Sequence, residues 1–175
     1  IVKHDLHGLY ITNLTNIRYL TGFTGSAAIL IVLKESSYFF TDGRYIQQSK
    51  EQVNNANVTI ISTSYFDSIN RCNIFNEKSR IGFESDHMSY SYYDSMINQF
   101  PNIDWISTNS IIENLAAVKD SEEISSLQTA IDITDDVFKK IIPEIKVGVT
   151  EKYISTRISY SFKMNGADGD SYESI

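Results

Sequence analysis

Residues 27–33 of this chain read AAILIVL, an apolar run without a polar break. Successive side chains of a strand point to opposite faces, so such a run reads as a strand buried on both sides, inside a sheet covered by other layers. The turn Lys34-Glu35-Ser36 and a second strand-like run over residues 37–41 follow, and the two runs read as a hairpin. Around them strand and helix patterns alternate. Residues 9–13 read as a strand and residues 15–21 as a brief helical turn before Gly22. Residues 44–53 carry Tyr45, Ile46 and Val53 on one helical face, and the Asn-rich residues 54–57 close that helix. Residues 58–62, 80–84 and 103–106 read as strands, and residues 65–75 and 90–100 as helices. The alternation predicts an α/β fold, a mixed sheet with flanking helices, in a domain covering residues 1–118.

After Lys119 the pattern changes. Asp120-Ser121-Glu122-Glu123 has the form of a capping box, and Ile124, Leu127, Ile131, Thr134, Phe138 and Ile141 recur at three- and four-residue steps. The spacing predicts a long amphipathic helix over residues 121–142, ending near Pro143. A second helix opens at Gly148-Val149-Thr150-Glu151 with Thr150 as N-cap, turns Ile154, Ile158 and Phe162 inward, and closes at Asn165-Gly166. SYFDSI at 64, SYYDSM at 91 and SYESI at 171 echo one another at unequal intervals, so they read as serine-capped helix starts and not as an array.

The 175 residues are 42% hydrophobic, enough for one ordinary core with sequence left over. A formal net charge of -7 with no block of Lys or Arg repels phosphate backbones and anionic membranes, which sets nucleic acid and membrane aside as partners. No apolar run approaches the roughly 20 residues of a bilayer span. No signal peptide is visible, although the chain begins at Ile1 without a Met. The single cysteine, Cys72, excludes an internal disulfide and Cys-rich zinc ligation, and the expectation is a cytoplasmic protein. Asn13-Leu14-Thr15 and Asn57-Val58-Thr59 match the glycosylation sequon by chance.

Four constellations bear on chemistry. Gly22 to Ser26, GFTGS, lacks the Gly-Lys-Ser/Thr ending whose lysine reaches terminal phosphates. His4 and His7 share a helical spacing but have no nearby thiols or carboxylate pair to complete a metal site. Asp168-Gly169-Asp170 lacks the loop glycine and terminal glutamate of a calcium-binding EF-hand and reads as a solvated turn. Asp42-Gly43-Arg44-Tyr45 stands at a strand end and helix start, where ligands meet α/β sheets and where an Arg can hold a carboxylate bidentately. The same residues also read as an Asp N-cap with Arg44 pairing locally. No Gly-x-Ser-x-Gly elbow is present and Cys72 has no histidine partner, so no self-contained catalytic site is visible.

Five motifs, NIRYLTGFTGS, FFTDGRY followed by Q, VKDSEEISSLQTA, IKVGVTE and GADGDSYESI, occur in an order and spacing that resembles the creatinase/aminopeptidase P/Xaa-Pro dipeptidase (prolidase) family over nearly the whole chain. The resemblance implies a creatinase N-terminal-like sheet of ribonuclease-H type over residues 1–118, then the first helices of an incomplete pita-bread catalytic domain over residues 119–175. It implies hydrolysis of the bond before proline in short peptides, a homodimer, and two divalent metal ions, commonly manganese, that generate hydroxide and polarise the scissile carbonyl. The metal ligands of the family lie beyond the motif that here reads GADGDSYESI, so the expectation is that this chain holds neither metal nor catalytic residue. At Leu115-Ala116-Ala117-Val118-Lys119 the chain departs from the Leu-Arg pair common in the family, while Lys119 is kept. In this frame Gly22 and Gly25 permit a tight entry into the first buried strand. Asp42, Arg44 and Tyr45 become candidates for a substrate-gating rim. The alternative is a non-catalytic binding module, since a histone-chaperone subunit shares the same two-domain plan without metal ligands.

Overall fold

The computed structural model describes residues 5–170, in two units, Ile1–Ala117 and Val118–Ile175. In the first, the strands Gly8–Ile11 (β1), Ala28–Leu33 (β2), Ser37–Thr41 (β3), Asn57–Ile60 (β4), Arg80–Glu84 (β5) and Asp104–Thr108 (β6) form one sheet in the order β4-β3-β2-β1-β5-β6. β2 pairs antiparallel with both β1 and β3, whereas β3 with β4, β1 with β5 and β5 with β6 are parallel. β2 therefore runs against the other five strands. The carboxyl ends of those five and the entry to β2 share one edge of the sheet.

The apolar run is buried on both sides as its composition requires. Ala28 and Leu30 join Leu9, Ile11, Ile17, Phe23 and Phe39 on one face, and Ile29 and Ile31 join Tyr10, Phe40, Ile69, Ile81 and Met96 on the other. Helices Leu14–Thr21 (α1), Ile46–Gln52 (α2) and Ile111–Ala117 (α5) cover the first face, and Tyr65–Cys72 (α3) and Tyr90–Gln99 (α4) the second. An aromatic network fills the second face, with Trp105 edge-on to Tyr10 at 5.6 Å and to Phe75 at 5.9 Å.

Several boundaries differ from the sequence expectation for local reasons. The helix expected over residues 44–53 begins as a 3-10 turn, Gly43–Tyr45, before α2. α3 stops at Asn73, which takes a left-handed conformation (φ 46), and does not reach residue 75. Ser64 caps α3 as expected, but the cap of α4 is Ser89 and not Ser91, while the echo at 171 lies outside the described residues. α5 was not expected from sequence.

The second unit holds Ser121–Ile141 (α6), a 3-10 turn at Ile142–Glu144, and Glu151–Met164 (α7). The capping box forms: Asp120 accepts from the backbone N–H of Glu122 and Glu123, and Glu123 accepts from that of Asp120, all at 2.9 Å. Thr150 caps α7. Arg157 of α7 grips Glu144 through two nitrogens at 2.9 and 2.8 Å and holds that carboxyl below its usual range. The stripe marked in the sequence turns inward only at its end, Ile141. Val137 and Ile141 are buried, whereas Ile124, Leu127, Ile131 and Phe138 stay at least half exposed. α6 is apolar on more than one side, and the unit covers only part of that surface.

Candidate functional site

The edge of the sheet where β3 ends brings GFTGS and DGRY together. Asp42 is extended (φ -91, ψ 175) as the chain leaves β3, so its side chain can cap the 3-10 turn, and Oδ1 accepts from the Arg44 N–H at 3.0 Å. The Arg44 guanidinium folds back and donates to the same carboxylate, from Nε to Oδ1 at 3.0 Å and from Nη2 to Oδ2 at 2.8 Å. This pairing holds the Asp42 carboxyl below its usual range and raises Arg44. Cζ of Arg44 lies 5.1 Å from the centre of the Tyr45 ring.

Tyr45 links the two motifs. Its hydroxyl is 2.6 Å from the Ser26 hydroxyl and accepts from the Ser26 N–H at 3.1 Å; these bonds lower its phenolic pKa. Its ring meets buried Phe23 at 5.4 Å, nearly perpendicular. The turn is tied to α2 as well, for Gln52 accepts from the Thr24 N–H at 2.9 Å and Gln48 donates to the Thr24 hydroxyl at 2.9 Å. Gly22 ends α1 in the left-handed region (φ 80), with its N–H donated to the Arg18 carbonyl. Gly25 answers a different need: a Cβ there would overlap the Phe23 ring and come within 2.9 Å of Tyr45.

Tyr65, at the start of α3, was not singled out from sequence. Its hydroxyl is buried without a hydrogen-bond partner among the described residues, and burial, then the Asp42 charge, push its pKa up to about 12. The site thus presents a neutralised Asp42–Arg44 pair, with Arg44 two-thirds exposed, flanked by two phenols in unlike environments. It can offer oriented donors and an aromatic face to a ligand.

The remaining sequence candidates lie elsewhere. His7 Nδ1 accepts from the Arg80 N–H at 2.9 Å, and His4 lies outside the described residues. Asp168 is exposed, but Asp170 is not the solvated residue expected, because it turns in to accept from the Ser159 hydroxyl. Asn13 spends its side chain on capping α1, and Cys72 is exposed. Among the described residues no three His, Cys, Asp or Glu side chains come together to hold a metal, and no helix is long and apolar enough to cross a membrane.

Comparison with known proteins places this geometry. The chain is 33% identical to the peptidase YqhT of Bacillus subtilis (strain 168) over 97% of its own length and 48% of that protein's. It is 28% identical to an Xaa-Pro dipeptidase of Lactobacillus helveticus over 95% of this chain and 48% of that one. In structure it is similar to an Xaa-Pro dipeptidase from Bacillus anthracis, with a TM-score of 0.87 and 28% identity, over 98% of this chain and 48% of that one. The chain thus spans about half the length of the curated relatives it matches. Residues 1–118 match the creatinase/prolidase N-terminal domain family, and with the six-stranded mixed sheet they establish that this chain belongs to it.

Proposed function

We propose that this chain is the N-terminal portion of a cytoplasmic, metal-dependent Xaa-Pro peptidase that hydrolyses the bond before proline in short peptides. The observation that carries the reading is that similarity to Xaa-Pro dipeptidases runs through both units, over 95% or more of the chain, and is not confined to the sheet. Residues 1–118 are the sheet domain and residues 119–175 the beginning of the catalytic domain. Two divalent ions, manganese by preference, are taken from the family resemblance, with their ligands outside this chain. No catalytic step is assigned to the described residues, among which no three His, Cys, Asp or Glu side chains come together. The contribution of this portion is dimerisation and substrate gating, with Asp42, Arg44 and Tyr45 on the rim. A charge-paired rim, Asp42 with Arg44, whose guanidinium lies over the Tyr45 ring, suits contact with small peptides.

The test is manganese-dependent hydrolysis of Gly-Pro and Arg-Pro-Pro by the full-length protein, with the 175-residue chain assayed beside it. Activity in the full-length protein alone supports the reading. Silence in both, without metal uptake, overturns it in favour of a non-catalytic binding relative. Arg44→Ala in the full-length protein tests the rim: KM rises while the melting temperature holds, and an unchanged KM refutes that role.

A further inference from the structure

The same sheet edge carries a second polar cluster. Glu84, at the end of β5, is a buried carboxylate, 9% exposed, whose oxygens accept from three N–H donors of the described residues. Oε2 accepts from the backbone N–H groups of Thr12 and Asn13, both at 2.8 Å, and Oε1 accepts from Asn16 Nδ2 at 2.7 Å. Asn16, in the first turn of α1 and 4% exposed, donates from the same nitrogen to Glu113 Oε1 on α5 at 2.6 Å. Two carboxylates from elements far apart in sequence thus share the two hydrogens of one buried amide. Both neighbours only accept, so the nitrogen must face them.

The apolar anchor of α5 is small: Ile112 enters the core and Ile111 packs against it. Seven residues are too few for a helix to persist alone. Ile112 is its single buried side chain, and Leu115 is 59% exposed. α5 is also the last element of the sheet unit, so whatever docks it fixes the point from which the chain leaves that unit.

We infer that Asn16 is a latch that docks α5 onto the sheet unit, with Glu84 orienting the amide and Glu113 as the catch. The two glutamates are not interchangeable. Both oxygens of Glu84 accept from N–H groups, so a glutamine there points its own NH2 at a donor. Glu113 offers one oxygen to Asn16, and a glutamine keeps a carbonyl oxygen for that bond. The inference stands apart from the peptidase reading, and its test does not use activity.

Hydrogen exchange of the full-length protein decides it. In Asn16→Ala and Glu113→Ala, amides of residues 111–117 exchange about tenfold or more faster, as loss of one charge-assisted hydrogen bond requires, while residues 28–41 keep their protection. Glu113→Gln, which keeps the acceptor but not the charge, exchanges faster than wild type by clearly less than Glu113→Ala. Glu84→Gln deprotects both α5 and the first turn of α1. Unchanged α5 protection in Glu113→Ala overturns the latch, as does equal deprotection in Glu113→Gln and Glu113→Ala. Should Asn16→Ala fail to fold, the Glu113 pair, at an exposed position, decides alone.

Discussion

Gly25→Ala tests whether the glycine turn serves packing. Gly25 does not sit in the left-handed region, so its backbone accepts an alanine without strain. The added methyl instead meets the ring of Phe23, which cannot retreat: Phe23 is 1% exposed and lies edge-on to Phe39 at 4.9 Å and to Tyr45 at 5.4 Å. Overpacking of this kind costs about 1–3 kcal/mol. At roughly 4 °C per kcal/mol for a domain of this size, the melting temperature of the sheet unit falls by about 4–12 °C. The fluorescence of Trp105, the single tryptophan, sits in that unit and reports its unfolding. A double-mutant cycle supplies the refutation. In a Phe23→Leu background the ring is gone, and Gly25→Ala loses at least half of its cost. Gly22→Ala behaves differently, because its cost of about 1–2 kcal/mol is backbone strain and survives the background change. An equal penalty for Gly25→Ala in both backgrounds would show that the close approach to Phe23 is not the reason for the glycine.

Three further outcomes follow from the structure. Tyr65 has a folded-state pKa of about 12, above its unfolded value, with Tyr10 and Tyr92 also raised by burial. The stability these phenols contribute is therefore full below about pH 10 and is lost between about pH 10 and 12. Phenolate absorbance titrated alongside the melting temperature checks this, and a midpoint near 10 for every tyrosine contradicts it. Asp120→Ala removes the capping box and costs α6 about 1 kcal/mol, read by far-ultraviolet circular dichroism in urea, whereas Asp120→Asn restores most of the loss. The 175-residue chain self-associates through the exposed stripe of α6, so its sedimentation is concentration-dependent and Ile131→Lys with Phe138→Lys makes it monomeric. A monomer at every concentration removes that expectation.

The strands were legible because each is short and bounded by turn residues, and because β2, wholly apolar, must be covered on both faces wherever it sits. The missed element, α5, shows where local reading stops. Residues 111–117, IIENLAA, carry too few apolar positions for a helical period to stand out. Their order comes instead from Ile112 in the core and from the bond to Asn16, 97 positions away. α6 misled in the opposite sense. Its strongest period marked a real apolar stripe, but that stripe is buried only at Ile141 while Val137, outside it, is buried too, and a period cannot say which of its residues a neighbour covers.

The candidate site divides along the same line. Asp42 and Arg44 are two residues apart, and both of their sequence-level roles, cap and local ion pair, depend on nothing distant. Tyr45 does. Its bond to Ser26 and its contact with Phe23 join a helix start to the turn before β2, across about twenty residues, and Gly25 is the residue that leaves room for that junction. Neither motif, taken alone, contains the reason for the other. The spacing between them does not either, since it is set by the length of the β2–β3 hairpin that returns the chain to the same edge. A glycine turn without a phosphate-binding lysine is therefore explained by the aromatic side chains it admits, and the rim it supports stands or falls with Tyr45 as much as with Arg44.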